Sequence, residues 1–191
     1  MVGRLLTAFP AQFSTLLLAY EKTDFVDFIH NVKMTGSTVF APSNSAFEKL
    51  GPRANGFLFN TDKGLKYLKA ILKYHIVANA TLYTDAFYDE TTSNRDVSDE
   101  ATGKREHFDL VTLLHDLHVS VDIVEWASFK IVTVNGFSGL KIRDGVAKNG
   151  VVHVLDRVLI PPHKHKSHEE AEMLDREISV EELTERLSDY V

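Results

Sequence analysis

Apolar residues recur with a helical period through the first part of the chain and with a period of two through the later part. Between residues 10 and 20, Phe13, Leu16, Leu17 and Tyr20 fall at i, i+3, i+4 and i+7, one face of an amphipathic helix. Pro10 suits the first turn of that helix, where a missing N–H costs nothing. Asp24 stands where it can cap a second short helix that buries Phe25, Phe28 and Ile29. Residues 37–41 read as a strand. The turn Pro42-Ser43-Asn44-Ser45 then opens a helix carrying Ala46, Phe47 and Leu50, with Ser45 and Glu48 at capping-box spacing and Gly51-Pro52 as its end. Thr61 and Asp62 cap a longer helix in which Leu65, Leu68, Leu72 and His75 step down one side, so that His75 points inward.

Residues 89–106, rich in Thr, Ser, Asp and Lys, predict a long exposed loop. Beyond it Val119, Val121 and Ile123 alternate with Ser120 and Asp122, and the β-branched run 129–134 leads into Asn135-Gly136, a strong hairpin dipeptide. The nearly continuous apolar run 151–160 reads as a strand covered on both faces, closed by Pro161-Pro162. On that strand Asp156 and Arg157 would point to opposite faces. Helices first and strands later, without regular alternation, define an α+β class. The body is residues 1–162. In residues 163–191 a His/Lys linker and an acidic stretch precede a final helix, where Ser179 and Glu182 match a capping box. Val180, Leu183, Leu187 and Tyr190 give that helix a narrow apolar stripe that wants a surface.

Composition narrows the picture. A chain of 191 residues suits one core with an appendage. The net charge of -6 is concentrated in residues 163–191, which hold 4 Lys/Arg against 9 Asp/Glu and leave the body at 17 against 18. A body so near neutrality lacks the basic face that nucleic-acid binding draws on, so nucleic acid is not an expected partner. No apolar run approaches the roughly 20 residues of a membrane span, and no anchor is visible. With no cysteine, neither a disulfide framework nor a thiolate zinc site is available.

Thr38-Val39-Phe40-Ala41-Pro42-Ser43-Asn44-Ser45-Ala46-Phe47 resembles the first signature of fasciclin domains, and Asn149-Gly150-Val151-Val152-His153-Val154-Leu155-Asp156-Arg157-Val158-Leu159-Ile160-Pro161 resembles the second. Tyr74-His75-Ile76-Val77, between them, looks like the family's central Tyr-His segment. The resemblance covers roughly residues 5–162 and implies a β-wedge packed against a helical layer, to which the C-terminal helical tail is added. It implies a non-catalytic adhesion or surface-interaction module, secreted or associated with the cell surface or wall. The loop and the tail look like those of single-domain filamentous-fungal members. The alternative is a structural or interaction protein of an internal compartment such as the vacuole, recruited through the acidic tail.

In some animal members integrin recognition is attributed to the Tyr-His segment and to an Asp-Ile pair before the second signature. Tyr74, His75 and Asp144 match that pattern in part, since Gly145 replaces the aliphatic residue. They are the candidate partner-binding residues, against the plainer reading that Tyr74 and His75 join helix to sheet. The partner implied is a protein or a component of the cell surface or wall, with weak self-association a further expectation. His153 shares a strand face with Val151, Leu155 and Leu159 and reads as a core histidine. Asn79-Ala80-Thr81 is a glycosylation sequon, making Asn79 a candidate glycan acceptor. No Gly-x-Ser-x-Gly elbow or phosphate loop is present, and no catalytic residue or cofactor is assigned. His115-x-x-His118 and the linker histidines His163, His165 and His168 lack a convergent carboxylate, and no metal site is assigned either.

Overall fold

The computed structural model describes residues 6–32, 35–83, 104–114, 117–126, 129–147, 150–162 and 177–191. Helices come first: α1 (Pro10–Lys22), α2 (Phe25–Asn31), α3 (Asn44–Glu48), α4 (Pro52–Asn60) and α5 (Asp62–Tyr74), with strand β1 (Ser37–Pro42) inserted after α2. Strands β2 (Ile76–Ala78), β3 (Lys104–Val111), β4 (His118–Trp126), β5 (Phe129–Val134), β6 (Ser138–Ala147) and β7 (Gly150–Leu155) follow, and α6 (Val180–Leu187) closes the order. This is the expected α+β succession, and the helical layer covers the sheet.

The apolar periods explain which faces turn inward. On α1, Phe13 and Leu16 are buried while Leu17 and Tyr20 pack at the margin of the core. Thr61 caps α5 by accepting a hydrogen bond from the Gly64 N–H at 2.9 Å. Pro10 and Pro52 occupy first-turn positions of α1 and α4. Two other caps differ from expectation. Asp24 precedes α2 in the left-handed region (φ 49°) and makes no side-chain cap. At α3 the cap residue is Ser43 rather than Ser45, and its hydroxyl meets Ser45 Oγ at 3.0 Å and donates to the Leu155 carbonyl at 3.2 Å instead of capping the helix. Tying the Ala-Pro step to the end of β7 uses the hydroxyl that a helix cap would have needed.

The seven strands form one mixed sheet in the order β2-β1-β7-β6-β5-β4-β3. All neighbours are antiparallel except β1 and β7, which run parallel with Phe40 opposite His153. β1 and β7 lie inside the sheet under the helices, and every residue of both is buried. In β4 the inward residues Val119, Val121 and Ile123 are buried and alternate with half-exposed neighbours, and Val121 stands between Phe108 of β3 and Val134 of β5. Val134 to Phe137 makes a tight turn with positive φ at both Asn135 (52°) and Gly136 (73°) and a 3.3 Å bond from the Phe137 N–H to the Val134 carbonyl, the primed turn that matches strand twist. The two sheet ends nearly meet: Val77 bridges Thr112, and the Leu113 N–H donates to the Ile76 carbonyl at 2.9 Å. That contact turns the wedge into an almost closed barrel and leaves little unpaired edge.

Three further expectations are corrected. β7 stops at Leu155, and Asp156-Arg157 form a bend, so the apolar run 151–160 is strand only in its first half. The bend lets Asp156 accept from the Gly139 N–H at 2.9 Å and puts its carbonyl within 2.9 Å of Lys49 Nζ. Strand β3 begins at Lys104, so residues 104–106 of the expected loop are sheet. His118 begins β4 and is not part of a helical turn with His115. His115 and the linker histidines lie outside the described residues.

The C-terminal helix rests on the body. Ser179 caps α6 by accepting from the Glu182 N–H at 3.1 Å. Leu183, Leu187 and Tyr190 are buried against α4 and α5. The narrow apolar stripe read from the sequence has found its surface within the same chain.

Candidate functional site

The central pair of the sequence pattern, Tyr74-His75, lies where α5 hands the chain to β2. His75 is the C-cap of α5 and is buried. Its Nδ1 is 2.8 Å from the Ile71 carbonyl, and its Nε2 is 3.0 Å from the Leu159 N–H. A carbonyl can only accept and a backbone N–H can only donate, so the ring is held neutral with its proton on Nδ1. Burial pulls the imidazole from its ordinary 6.5 down to about 4, against a smaller upward pull from the Ile71 bond. The ring therefore ties the last turn of α5 to the segment after β7, two elements far apart in sequence.

Tyr74 is buried too, with only its hydroxyl working at a polar edge. The hydroxyl donates to the His118 carbonyl at 2.9 Å and accepts from Asn135 Nδ2 at 3.0 Å. Asn135 Oδ1 in turn accepts from the Ser120 N–H at 3.0 Å. One tyrosine thus joins α5 to β4 and to the β5–β6 turn. From sequence, Asn135 carries only a turn signal, because the left-handed φ explains an Asn-Gly pair without any task for the side chain.

The structure does not bring Tyr74, His75 and Asp144 together as one exposed patch. Tyr74 and His75 face inward, and Asp144 lies in β6 on the far side of β1 and β7 from β2. His153 is fully buried, with Nε2 2.8 Å from the Leu82 carbonyl and its ring 5.7 Å from that of Phe40. Asn79 is exposed and left-handed (φ 59°), and its Oδ1 accepts from the Thr35 N–H at 3.1 Å. The sequon thus sits on a surface turn beside the start of β1.

The outer face of the β3–β4 pair carries a charge cluster that the sequence reading passed over. His107 Nδ1 lies 2.6 Å from Asp122 and its Nε2 lies 3.4 Å from Asp109. The hydrogen bond to Asp122 is the main reason that the His107 pKa is raised, and both carboxylates add to it. Cross-strand pairing sets this up, since His107 stands opposite Asp122. Among the described residues no group of three or more His, Cys, Asp or Glu side chains is arranged to hold a metal ion, and no helix is long and apolar enough to cross a membrane.

An inward tyrosine and histidine at the helix–sheet junction, a parallel β1–β7 pair and an almost closed wedge under helices define a single α+β wedge module. The Fasciclin domain model matches residues 11–161, and the chain belongs to that family. Among solved structures, a FAS1 domain pair from the insect cell adhesion molecule Fasciclin I shares the fold, with a TM-score of 0.55 and 19% identity over 75% of this chain and 43% of that one. The chain is 28% identical to "Aurofusarin biosynthesis cluster protein S" of the fungus Gibberella zeae, a match covering 94% of this chain and 49% of that protein. It is also 30% identical to the uncharacterized protein sll1735 of Synechocystis, over 78% of this chain and 90% of that one. The chain thus spans about half the length of its fungal relative, whose source agrees with the fungal part of the resemblance.

Proposed function

We propose that this chain is a non-catalytic adhesion or surface-interaction module that works outside the cell, at the cell surface or wall. The observation that carries the reading is the family match over residues 11–161, since fasciclin domains serve adhesion in general. The internal commitments of Tyr74, His75 and His153 support it from the other side: the motif side chains hold the wedge together, and recognition is left to the outer surface. On this reading Tyr74 and His75 contribute by positioning, Asp144 supplies an acidic contact, and Asn79 carries a glycan. Binding per module is weak and gains strength from multiple copies. The test is retention of beads coated with the chain on isolated walls of its native host. Retention well above that of beads coated with heat-unfolded chain is expected, and equal retention would sink the proposal.

The name of the Gibberella zeae relative supports a compatible second reading, in which the partner is a protein that acts with a biosynthetic gene cluster. Affinity purification of the tagged chain from its native host tests it: enrichment of cluster-encoded proteins is expected, and their absence overturns it.

A further inference from the structure

A cavity of about 250 Å³ opens between the body and α6, whose Glu182 and Arg186 form part of its wall. Leu50, Phe137, Val158, Ile160 and Ile178 give it apolar sides. The volume exceeds the roughly 150 Å³ that holds a single benzene and falls short of the 300 Å³ or more typical of drug-sized ligands. The space therefore suits a compact apolar body of one or two rings.

The charges on the wall are matched within the protein. Lys49 Nζ lies 3.6 Å from Asp156 Oδ2, Arg186 Nη2 lies 2.8 Å from Glu182 Oε1, and Asp109 Oδ1 lies 3.4 Å from His107 Nε2. Arg157 is engaged as well. An ion that entered would shed its hydration and gain no countercharge in return, so the wall favours an uncharged guest.

The polar edge decides what that guest carries. The Tyr74 hydroxyl has given its one proton to the His118 carbonyl, and Asn135 Oδ1 accepts from the Ser120 N–H. One amide hydrogen of Asn135 goes to the Tyr74 oxygen at 3.0 Å. Its other amide hydrogen and the Ser120 hydroxyl have no hydrogen-bond partner among the described residues, and both residues line the cavity. Two open donors beside an apolar wall call for an acceptor, and a carbonyl oxygen has the two lone pairs to meet both. We propose that this cavity binds a small, uncharged ring compound bearing a carbonyl-type group, the carbonyl at Ser120 and Asn135 and the ring against Phe137 and Val158. The site does not depend on the adhesion reading, and either can fail without the other.

The probe is 4-methylbenzamide, with the charged 4-methylbenzoate as its near-isostere, titrated at neutral pH into the full chain and followed by amide shifts in two-dimensional NMR. Saturable shifts clustered at Ser120, Asn135, Phe137 and Val158 are expected. Because the carboxylate loses hydration without a countercharge, the amide should bind about tenfold more tightly. Its affinity should also be nearly independent of salt. Ser120→Ala removes one donor and should weaken the amide about fivefold, the effect of one neutral hydrogen bond. Should that variant fail to fold, the probe pair and the shift map of the unaltered chain decide alone. A carboxylate that binds as tightly as the amide, full affinity in folded Ser120→Ala, shifts scattered away from the cavity, or no saturable binding at millimolar concentration would each overturn the proposal.

Discussion

At the scale of the residue, His75 carries the most specific consequences. Its neutral ring satisfies one buried carbonyl and one buried N–H, and truncation leaves both without partners. His75→Ala should therefore cost about 2 to 4 kcal/mol of unfolding free energy, measured by urea denaturation at neutral pH. Linkage gives a second expectation. The folded pKa of about 4 lies below the ordinary 6.5, so as pH falls the unfolded chain takes up the proton first. The stabilisation is complete above about 6.5 and drains away as pH falls toward the folded value. At about 1.4 kcal/mol per pH unit, the stability advantage of the native chain over His75→Gln should shrink by about 2 to 3 kcal/mol between pH 7.5 and 4.5. An advantage that stays constant would show that the ring is not held neutral. Tyr74→Phe should cost about 1 to 2 kcal/mol by unbinding the His118 carbonyl and Asn135, yet leave wall retention per folded molecule unchanged. Lost retention with stability intact would return Tyr74 to the surface as an epitope. The inward direction of His75 was legible from its place in the α5 stripe. Its second partner at Leu159 was not, because no periodicity links positions so far apart.

At the scale of the element, the legible parts are those with one strong period. α5 declares itself through a leucine stripe and a threonine cap, and β4 through clean alternation. β3 hid because its first half is Lys-Arg-Glu-His, which composition reads as loop, while only Phe108 and Leu110 face the core from its second half. β6 hid behind Gly139 and Gly145 and behind irregular pairing with β7. α4 hid because Asn55 and Gly56 are poor helix formers, and tertiary packing overrides them. That packing is tight enough to predict from. A Cβ at Gly64, in the first turn of α5, would meet the Phe57 carbonyl oxygen of α4 with no room for both. Gly64→Ala should destabilise by about 1 to 3 kcal/mol despite its better helix propensity, a sign that thermal denaturation can read directly.

At the scale of the whole molecule, α6 is a part of the folded body and not a streamer. Its buried Leu183, Leu187 and Tyr190 cannot grip a partner while they cover α4 and α5. Removing residues 163–191 should lower the melting temperature by roughly 5 to 10 °C, given about 2 kcal/mol for each large apolar group exposed and the ordering entropy that offsets part of it. An unchanged melting point would mean that α6 contributes nothing to the body and is available for recruitment. The family and fold were legible at this scale because two long signatures stand in order on β1 and β7, which pair directly. The cavity was not, because its walls come from α3, β4, the β5–β6 turn and the tail, and no local pattern announces a space between them.

The most direct test of the central claim is to tag the product of the intact gene in its native host, locate it, and measure its mass before and after endoglycosidase treatment, alone and with Asn79→Gln. An extracellular module predicts protein at the wall or in the medium with a glycan mass that the Asn79→Gln change removes. Unglycosylated protein confined to the cytosol would contradict it.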